Sequence, residues 1–241
     1  MMKREAGKYE WVPDSNPDDK NGPDTNSSGE KIDRSLFALK MDMDPFVPDK
    51  TYQDLIKVWP NVLTPEFCEH CIEKFEKDPY KYQGEVASGV WGDVKRSTDL
   101  TITDKENWKA EDNVFYKSLT PRIEEYVREF ERFYNISAVA KEFNDTGYQI
   151  QRTRPGEFYI WHNDFSLGRD KMFCRYLTFI WYLNDIHEDG YTQFIDGTKI
   201  QPKQGQMLIF PATWTYSHRG YPPKTETKYI CTGWVHTNDT P

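Results

Sequence analysis

From Tyr148 onward the chain consists of short segments rich in β-branched and aromatic residues, separated by residues that favour turns. Regularly spaced short strands of this kind are typical of a β sandwich or barrel, in which each strand pairs with its neighbours. The second half of the chain is therefore predicted to form such a structure. The predicted strands span residues 148–154, 158–162, 175–183, 191–195, 207–210 and 229–235.

Two amphipathic helices are predicted before these strands. Thr64-Pro65 reads as an N-cap followed by proline at the first helical position, and Thr120-Pro121 repeats that signal. Each pair opens a run of apolar residues at helical spacing. Strands preceded by helices predict a mainly β, α+β fold with the helices supporting one side of the sheet. In the first helix the apolar positions are Phe67, Cys71, Ile72 and Phe75.

The chain divides by composition into an arm and one domain. Asp14 to Gly29 contains no large apolar residue, so this segment cannot bury enough surface to offset its ordering entropy. We expect residues 1–50 to form a polar, loop-rich arm and residues 51–241 to form a single domain. Between the helices, the glycine-bearing stretch Tyr80 to Lys95 is a candidate lid, followed by a strand over Arg96 to Ile102.

Net charge and the distribution of apolar residues disfavour nucleic acid and membranes as partners. A formal charge of -8 argues against a broad basic surface for nucleic acid. No apolar run approaches the roughly 20 residues that span a bilayer, and Met1 to Trp11 lacks a signal-type apolar segment. The expectation is a cytoplasmic protein with no membrane and no nucleic acid partner.

Cysteine usage does not indicate a disulfide framework, because the four cysteines are few and scattered. Cys68 and Cys71 form a CxxC, which could serve redox chemistry or half of a zinc site. No second CxxC exists, and both thiols fall on the apolar side of the first helix. Burial in the core is the favoured interpretation, since free cysteine commonly behaves as a small hydrophobe.

A candidate metal site begins where the aromatic strand Phe158 to Trp161 gives way to a polar loop. Residues two apart in an extended segment project to the same side, so His162 and Asp164 can bind one ion. His218, just after another apolar strand, is the candidate third ligand. Two histidines and one carboxylate with open positions is the ligand set of non-haem Fe(II) oxygenases.

The HxD pattern alone is not selective, because His187-Glu188-Asp189 also matches it. That second match lies in a predicted turn, where a histidine is more often a solvated side chain than a ligand. His70 and His236 have no partner pattern and are interpreted as structural.

Lys228 opens a predicted strand ten residues after His218. A cation inside a strand is costly to bury unless it meets an anion, so this lysine implies a bound carboxylate or an exposed edge. The first alternative fits 2-oxoglutarate, whose one end would chelate the metal while its C5 carboxylate reaches Lys228.

Taken together, these motifs resemble the prolyl 4-hydroxylase branch of the 2-oxoglutarate/Fe(II)-dependent dioxygenase superfamily, which shares a double-stranded β-helix of the jelly-roll or cupin-like type. The resemblance covers the predicted core, residues 148–236. Its ordered pieces are Tyr159-x-x-His162-x-Asp164, Arg175-x-x-Thr178-x-x-x-Tyr182-Leu183-Asn184, Gly190-Tyr191-Thr192-x-Phe194, Gly205 to Phe210, His218, Lys228 and Trp234.

The resemblance implies roles position by position. His162, Asp164 and His218 would bind iron, and Lys228 would bind the C5 carboxylate of 2-oxoglutarate. Further contacts to 2-oxoglutarate would come from Tyr159, Tyr182 and Thr192. Arg175 matches a position that can face substrate, and Thr232 and Trp234 would line the metal pocket or fill the barrel.

The implied reaction is hydroxylation of a C–H bond with release of succinate and CO2, using Fe(II), 2-oxoglutarate and O2, with ascorbate as a reductant. A prolyl residue in a peptide or protein is the substrate that the resemblance favours. A free amino acid or small metabolite is an alternative, for which a closed pocket near Tyr80 to Arg96 would argue. A zinc hydrolase or a non-catalytic β-helix binding module is another, which Lys228 disfavours because a hydrolase needs no 2-oxoglutarate clamp.

Overall fold

The structure, a computed structural model, describes residues 2–5, 8–11, 51–86, 89–134, 143–165 and 174–237. The chain separates into two compact units, Met1–Asp49 and Lys50–Pro241. In the first unit, strands β1 (Met2–Glu5) and β2 (Lys8–Trp11) form an antiparallel hairpin that the sequence did not predict. The predicted loop from Asp14 to Gly29 lies outside the described residues.

The second unit is built on a large sheet whose described strand pairs are all antiparallel. Its order is β3-β12-β9-β14-β7-β5-β4, with β6 also paired to β14. The longest strands, β9 and β14, lie side by side at its centre and carry the side chains that face the candidate site. The strands are β3 (Lys57–Trp59), β4 (Tyr82–Gln83), β5 (Thr98–Thr101), β6 (Phe143–Asp145), β7 (Gln149–Thr153), β9 (Arg175–Tyr182), β12 (Met207–Pro211) and β14 (Lys228–Thr237).

A smaller antiparallel sheet faces the large one, and the two share a cavity lined by residues from both. Its order is β11-β10-β13-β8. All six strands predicted between residues 148 and 235 are present, and no end differs from the prediction by more than two residues. The small-sheet strands are β8 (Tyr159–His162), β10 (Thr192–Phe194), β11 (Lys199–Ile200) and β13 (His218–Gly220).

Helix α1 (Pro65–Lys77) begins as predicted. The Thr64 hydroxyl accepts a hydrogen bond from the Phe67 amide at 3.3 Å, which satisfies one of the free N–H groups of the first turn. Cys68 and Cys71 are fully buried on its apolar side, and both are free thiols, as the core interpretation predicted.

Helix α2 (Lys109–Tyr134) corrects the prediction that a helix starts at Thr120-Pro121. The helix begins eleven residues earlier and continues through Pro121. The proline removes one backbone hydrogen bond, but the buried face continues without interruption on both sides, so packing outweighs the local signal. The buried residues of that face are Phe115, Leu119, Ile123, Tyr126 and Phe130.

Aromatic rings fill the core between the large sheet and the helices. The Trp181 ring lies 5.0 Å from that of Phe115 and 5.2 Å from that of Phe179, in tilted and edge-to-face arrangements. These residues fill one face of the large sheet, so its other face is left to line the cavity. No helix among the described residues is long and apolar enough to cross a bilayer.

Candidate metal centre

Two strands of the small sheet bring the predicted metal ligands together. His162 is the last residue of β8 and pairs directly with His218 at the start of β13. Asp164 follows two residues later, in the segment after β8, and its carboxylate is buried. Residues that are far apart in the sequence therefore meet because neighbouring antiparallel strands place them opposite each other.

The three side chains converge on one point. His162 Nε2 lies 3.9 Å from Asp164 Oδ1, and His218 Nε2 lies 3.6 Å from Asp164 Oδ2. One ligand atom from each residue lies within 4.8 Å of the others, and the three form the one such histidine, cysteine and carboxylate cluster found among the described residues. This spacing and donor set suit a divalent transition metal with open coordination positions.

Backbone carbonyl groups orient both imidazoles. Nδ1 of His162 lies 2.8 Å from the carbonyl oxygen of Ile160, and Nδ1 of His218 lies 3.0 Å from that of Tyr216. A proton on Nδ1 satisfies each contact and leaves the Nε2 lone pair facing Asp164. Such contacts fix the tautomer and ring orientation of metal-binding histidines.

The charges at the centre also favour a metal. Burial and the neighbouring His218 lower the pKa of His162 to about 3, so its imidazole is neutral at physiological pH. Burial alone would raise the pKa of Asp164, but His218, His162 and the Thr178 hydroxyl outweigh burial and lower it. A neutral imidazole beside an ionised carboxylate needs no deprotonation before it binds a cation.

Thr178 supports this arrangement from the large sheet. Its hydroxyl donates a buried 2.7 Å hydrogen bond to Asp164 Oδ2. Thr178 belongs to the Arg175-x-x-Thr178 motif, but no role was predicted for it, because its partner Asp164 follows a strand of the other sheet. A hydrogen bond of this kind restrains the orientation of a ligand carboxylate.

Tyr159 stacks on His162, with ring centroids 3.5 Å apart and planes within 12° of parallel. Burial raises the pKa of the Tyr159 phenol, so it is un-ionised at neutral pH. Lys95 lies 5.5 Å from the Tyr159 ring and forms a buried 2.6 Å ion pair with Asp99, which the sequence did not predict. Tyr159 and Lys95 both line the cavity.

Lys228 is almost fully buried at the cavity wall. Its Nζ donates a 2.8 Å hydrogen bond to the Gly190 carbonyl, and no described carboxylate forms an ion pair with it. Burial without a counter-charge lowers its pKa to about 8. The site therefore presents a cation that an incoming carboxylate would satisfy.

Tyr182 and Thr192 occupy different layers of the wall near Lys228. Thr192 lines the cavity, whereas Tyr182 is fully buried and its hydroxyl lies 2.8 Å from Thr192 Oγ1. Tyr182 is thus placed to orient the Thr192 hydroxyl, and a direct contact of Tyr182 with a bound ligand stays a prediction.

The three residues predicted to face substrate lie on β9 and β14. Thr232 and Trp234 line the cavity, and the Thr232 hydroxyl donates to the Phe179 carbonyl at 2.8 Å. The guanidinium of Arg175 stacks on the Trp234 ring at 3.6 Å, and its Nε is buried without a hydrogen bond among the described residues. Arg175 does not itself line the cavity. Its burial lowers the pKa of its guanidinium.

The histidine that imitates the metal motif lies elsewhere. His187 is exposed, its Nδ1 lies 2.9 Å from Glu226 Oε1, and it does not line the cavity. His70 pairs with Glu111 at 2.7 Å between α1 and α2. These positions match the solvated and structural interpretations that the sequence suggested for them.

The segment between β4 and β5 forms part of the cavity wall. The Arg96 amide donates to the Phe158 carbonyl at 2.7 Å, which joins this segment to the edge of the small sheet. Arg96 and Ser97 line both the metal cavity and a second cavity at the surface. The two cavities are thus adjacent at these residues.

The sequence model of the 2OG-Fe(II) oxygenase superfamily matches residues 148–236, which include every predicted ligand of the metal and of 2-oxoglutarate. No curated protein sequence matches this chain significantly. The match covers the same core that the sequence motifs indicated.

Solved structures with the same fold include several prolyl hydroxylases. The 2-oxoglutarate complex of the viral collagen prolyl hydroxylase from Paramecium bursaria chlorella virus 1 is 20% identical, with a TM-score of 0.56 over 80% of this chain and 99% of that chain. A Pseudomonas putida prolyl-4-hydroxylase is 15% identical, with a TM-score of 0.54 over 77% of this chain and 93% of that chain. The Trichoplax adhaerens prolyl hydroxylase, in complex with a hypoxia inducible factor peptide fragment, is 18% identical. Its TM-score is 0.58 over 76% of this chain and 84% of that chain.

These comparisons confirm the predicted resemblance and the double-stranded β-helix fold. The superfamily model, which is named for 2-oxoglutarate and Fe(II), matches residues 148–236 of this domain. The clustered histidines and aspartate suit Fe(II), and Lys228, which has no ion-pair partner among the described residues, suits the carboxylate of 2-oxoglutarate.

Proposed function

We propose that this chain hydroxylates a prolyl residue in a peptide or protein, with release of succinate and CO2. One observation carries the proposal. The cluster of His162, Asp164 and His218 and the buried ammonium of Lys228 line a single cavity. A metal ligand set, together with a cation that has no counter-charge in the described part of the chain, matches a cosubstrate that chelates at one end and carries a carboxylate at the other.

In this proposal His162 Nε2, His218 Nε2 and the Asp164 carboxylate hold Fe(II). Bound iron would supply open coordination positions for O2 and the 2-oxo acid, and so the oxidising power for hydroxylation of the C–H bond. The backbone carbonyls of Ile160 and Tyr216 hold the two imidazoles, through their Nδ1 contacts, with Nε2 toward the metal position. The chain thus contributes fixed ligand geometry.

The 2-oxoglutarate end of the cavity is assigned to Lys228. Its ammonium would receive the C5 carboxylate, and the Thr192 hydroxyl, oriented by Tyr182, would donate a second hydrogen bond. Charge-assisted hydrogen bonds of this type are stronger than neutral ones, particularly when buried. Tyr159 would border the cosubstrate from the small sheet while it stacks on His162.

The substrate side is assigned to Trp234, with Arg175 stacked against it. The adjacency of the metal cavity to the surface cavity at Arg96 and Ser97 favours an extended peptide over a fully enclosed metabolite. The solved relatives are named prolyl hydroxylases, and the Trichoplax protein was solved with a peptide. This likeness is the reason for choosing a prolyl residue.

The test is turnover of the purified full chain with Fe(II), ascorbate, 2-oxoglutarate and a panel of proline-containing peptides, with free proline as the small-molecule arm. We expect succinate in step with the addition of one oxygen atom to a prolyl residue, measured by mass spectrometry. Asp164→Ala should abolish both products. Succinate coupled only to free proline would replace the peptide with a small molecule, and no succinate in any arm would contradict the oxygenase function.

A further inference from the structure

A chain of hydrogen bonds crosses the inner face of the large sheet and ends at Gln151 in the cavity wall. Gln151 Nε2 donates to Gln149 Oε1 at 2.5 Å, and Gln149 Nε2 donates to the Tyr82 hydroxyl at 2.7 Å. The Tyr82 oxygen lies 2.8 Å from Thr101 Oγ1. Side chains from β4, β5 and β7 therefore hold the Gln151 amide in one orientation.

The direction of this chain determines what Gln151 offers to a ligand. Its amino group is directed to Gln149, and no described residue donates a hydrogen bond to its carbonyl oxygen, Oε1. Gln151 lines the metal cavity, whereas Gln149 does not. A glutamine oxygen accepts hydrogen bonds and cannot donate them. The wall thus presents an acceptor with free capacity.

The neighbours of Gln151 do not use this acceptor. Asp99 on β5 pairs directly with Gln151. Its two carboxylate oxygens accept hydrogen bonds from Lys95 and Ser97 at 2.6 and 2.7 Å. On the other side, Gln151 pairs with Ile230 of β14, an apolar residue in the cavity wall. Lys228 is two residues along β14 from Ile230, so Gln151 lies beside the assigned 2-oxoglutarate position, on the same face of the sheet.

We infer that Gln151 is a specificity-determining residue that binds an N–H or O–H donor of the oxidised substrate. The inference rests on the proposed function, because it assigns 2-oxoglutarate to the same cavity. At neutral pH 2-oxoglutarate carries two carboxylates and a ketone, which are all acceptors, so it cannot satisfy Gln151 Oε1. For a prolyl substrate, which lacks its own amide N–H, the donor is the N–H of the residue that follows the proline.

The test uses two probes that differ by one donor, acetyl-proline methylamide and acetyl-proline dimethylamide. Binding to the Zn(II)- and 2-oxoglutarate-loaded full chain is followed by the NMR shifts of the labelled glutamine side-chain amides, so turnover is not needed. We expect the wild type to bind the methylamide about tenfold more tightly, since one hydrogen bond in a pocket has roughly this effect. In Gln151→Leu, followed by backbone amide shifts, that preference should vanish while 2-oxoglutarate affinity is unchanged.

Two further variants separate the subsite from a general disturbance. Tyr82→Phe removes the hydroxyl that anchors the chain, so it should weaken the methylamide preference only partly. Gln53→Leu, on the surface, should leave the preference intact, and melting temperatures check folding. The inference would be overturned if the wild type and Gln151→Leu showed the same ratio of affinities for the two probes, or if the wild type bound neither probe. Absence of hydroxylation with the preference present would instead contradict the proposed function alone.

Discussion

The hydroxyl of Thr178 donates a 2.7 Å hydrogen bond to Asp164 Oδ2, and both groups are buried. Thr178 lies on β9 of the large sheet, whereas Asp164 follows β8 of the small sheet. The bond therefore ties a candidate metal ligand to the opposite wall of the cavity. It also leaves Asp164 fewer orientations, which favours those that serve a metal.

Thr178→Val should weaken Fe(II) binding by about 10- to 100-fold, because loss of a hydrogen bond that orients a metal ligand typically has this effect. Valine matches the shape of threonine but cannot donate. The measurement is anaerobic Fe(II) titration, with Thr178→Ser as the matched control that restores the donor. Equal affinities of the valine variant and the wild type would show that Thr178 does not support the metal.

Lys228→Met should raise the 2-oxoglutarate concentration needed for half-maximal turnover about 100-fold. Charged hydrogen bonds contribute about 1.5–3 kcal/mol, and the variant also leaves a buried carboxylate without a cation. Fe(II) affinity measured without 2-oxoglutarate should change little. Lys224→Met removes an exposed lysine nearby in the sequence and serves as the control. A similar 2-oxoglutarate requirement in both variants would remove the role assigned to Lys228.

Binding of 2-oxoglutarate should weaken as the pH rises through about 8, because burial lowers the pKa of Lys228 to about 8. Below that pH the ammonium is charged and attracts the C5 carboxylate. Above it, the free protein must first gain a proton, so the dissociation constant should rise by up to about tenfold per pH unit. Calorimetric titration between pH 6.5 and 9.5 measures this slope, and a flat profile would contradict it.

Gly205→Ala should destabilise the fold more than Gly197→Ala. Both glycines have positive φ, +76° and +94°, so alanine costs about 1 kcal/mol at either position. At Gly205 the added Cβ would also lie 2.3 Å from the Leu63 carbonyl oxygen, whereas nothing lies within 4 Å at Gly197. Thermal unfolding of the two variants measures the difference. Equal melting temperatures would show that the contact between Gly205 and Leu63 is not tight.

The sequence predicted the part of the site that depends on local spacing. His162 and Asp164 stand two apart at a strand end, and Lys228 opens a strand with no compensating charge in its own segment. Thr178, Gln151 and the Lys95–Asp99 pair acquire their roles only from contacts between strands. No local pattern reports such pairings, because register depends on the whole sheet.

The second helix shows the same limit for the fold. Thr120-Pro121 carries a strong helix-start signal, but the helix begins at Lys109 and contains the proline. Its buried residues Phe115 and Tyr126 pack on either side of Pro121 along one face. The gain from this packing exceeds the cost of one lost hydrogen bond, and only the assembled core contains that information.

We propose that His162, Asp164 and His218 hold Fe(II) in a cavity where Lys228 receives 2-oxoglutarate. The most direct measurement is anomalous diffraction at the iron absorption edge from crystals grown anaerobically with Fe(II) and 2-oxoglutarate. We expect one strong peak in contact with all three side chains, and density for 2-oxoglutarate that joins this peak to Lys228 Nζ. A peak bound to other residues, or 2-oxoglutarate density that does not reach Lys228, would contradict it.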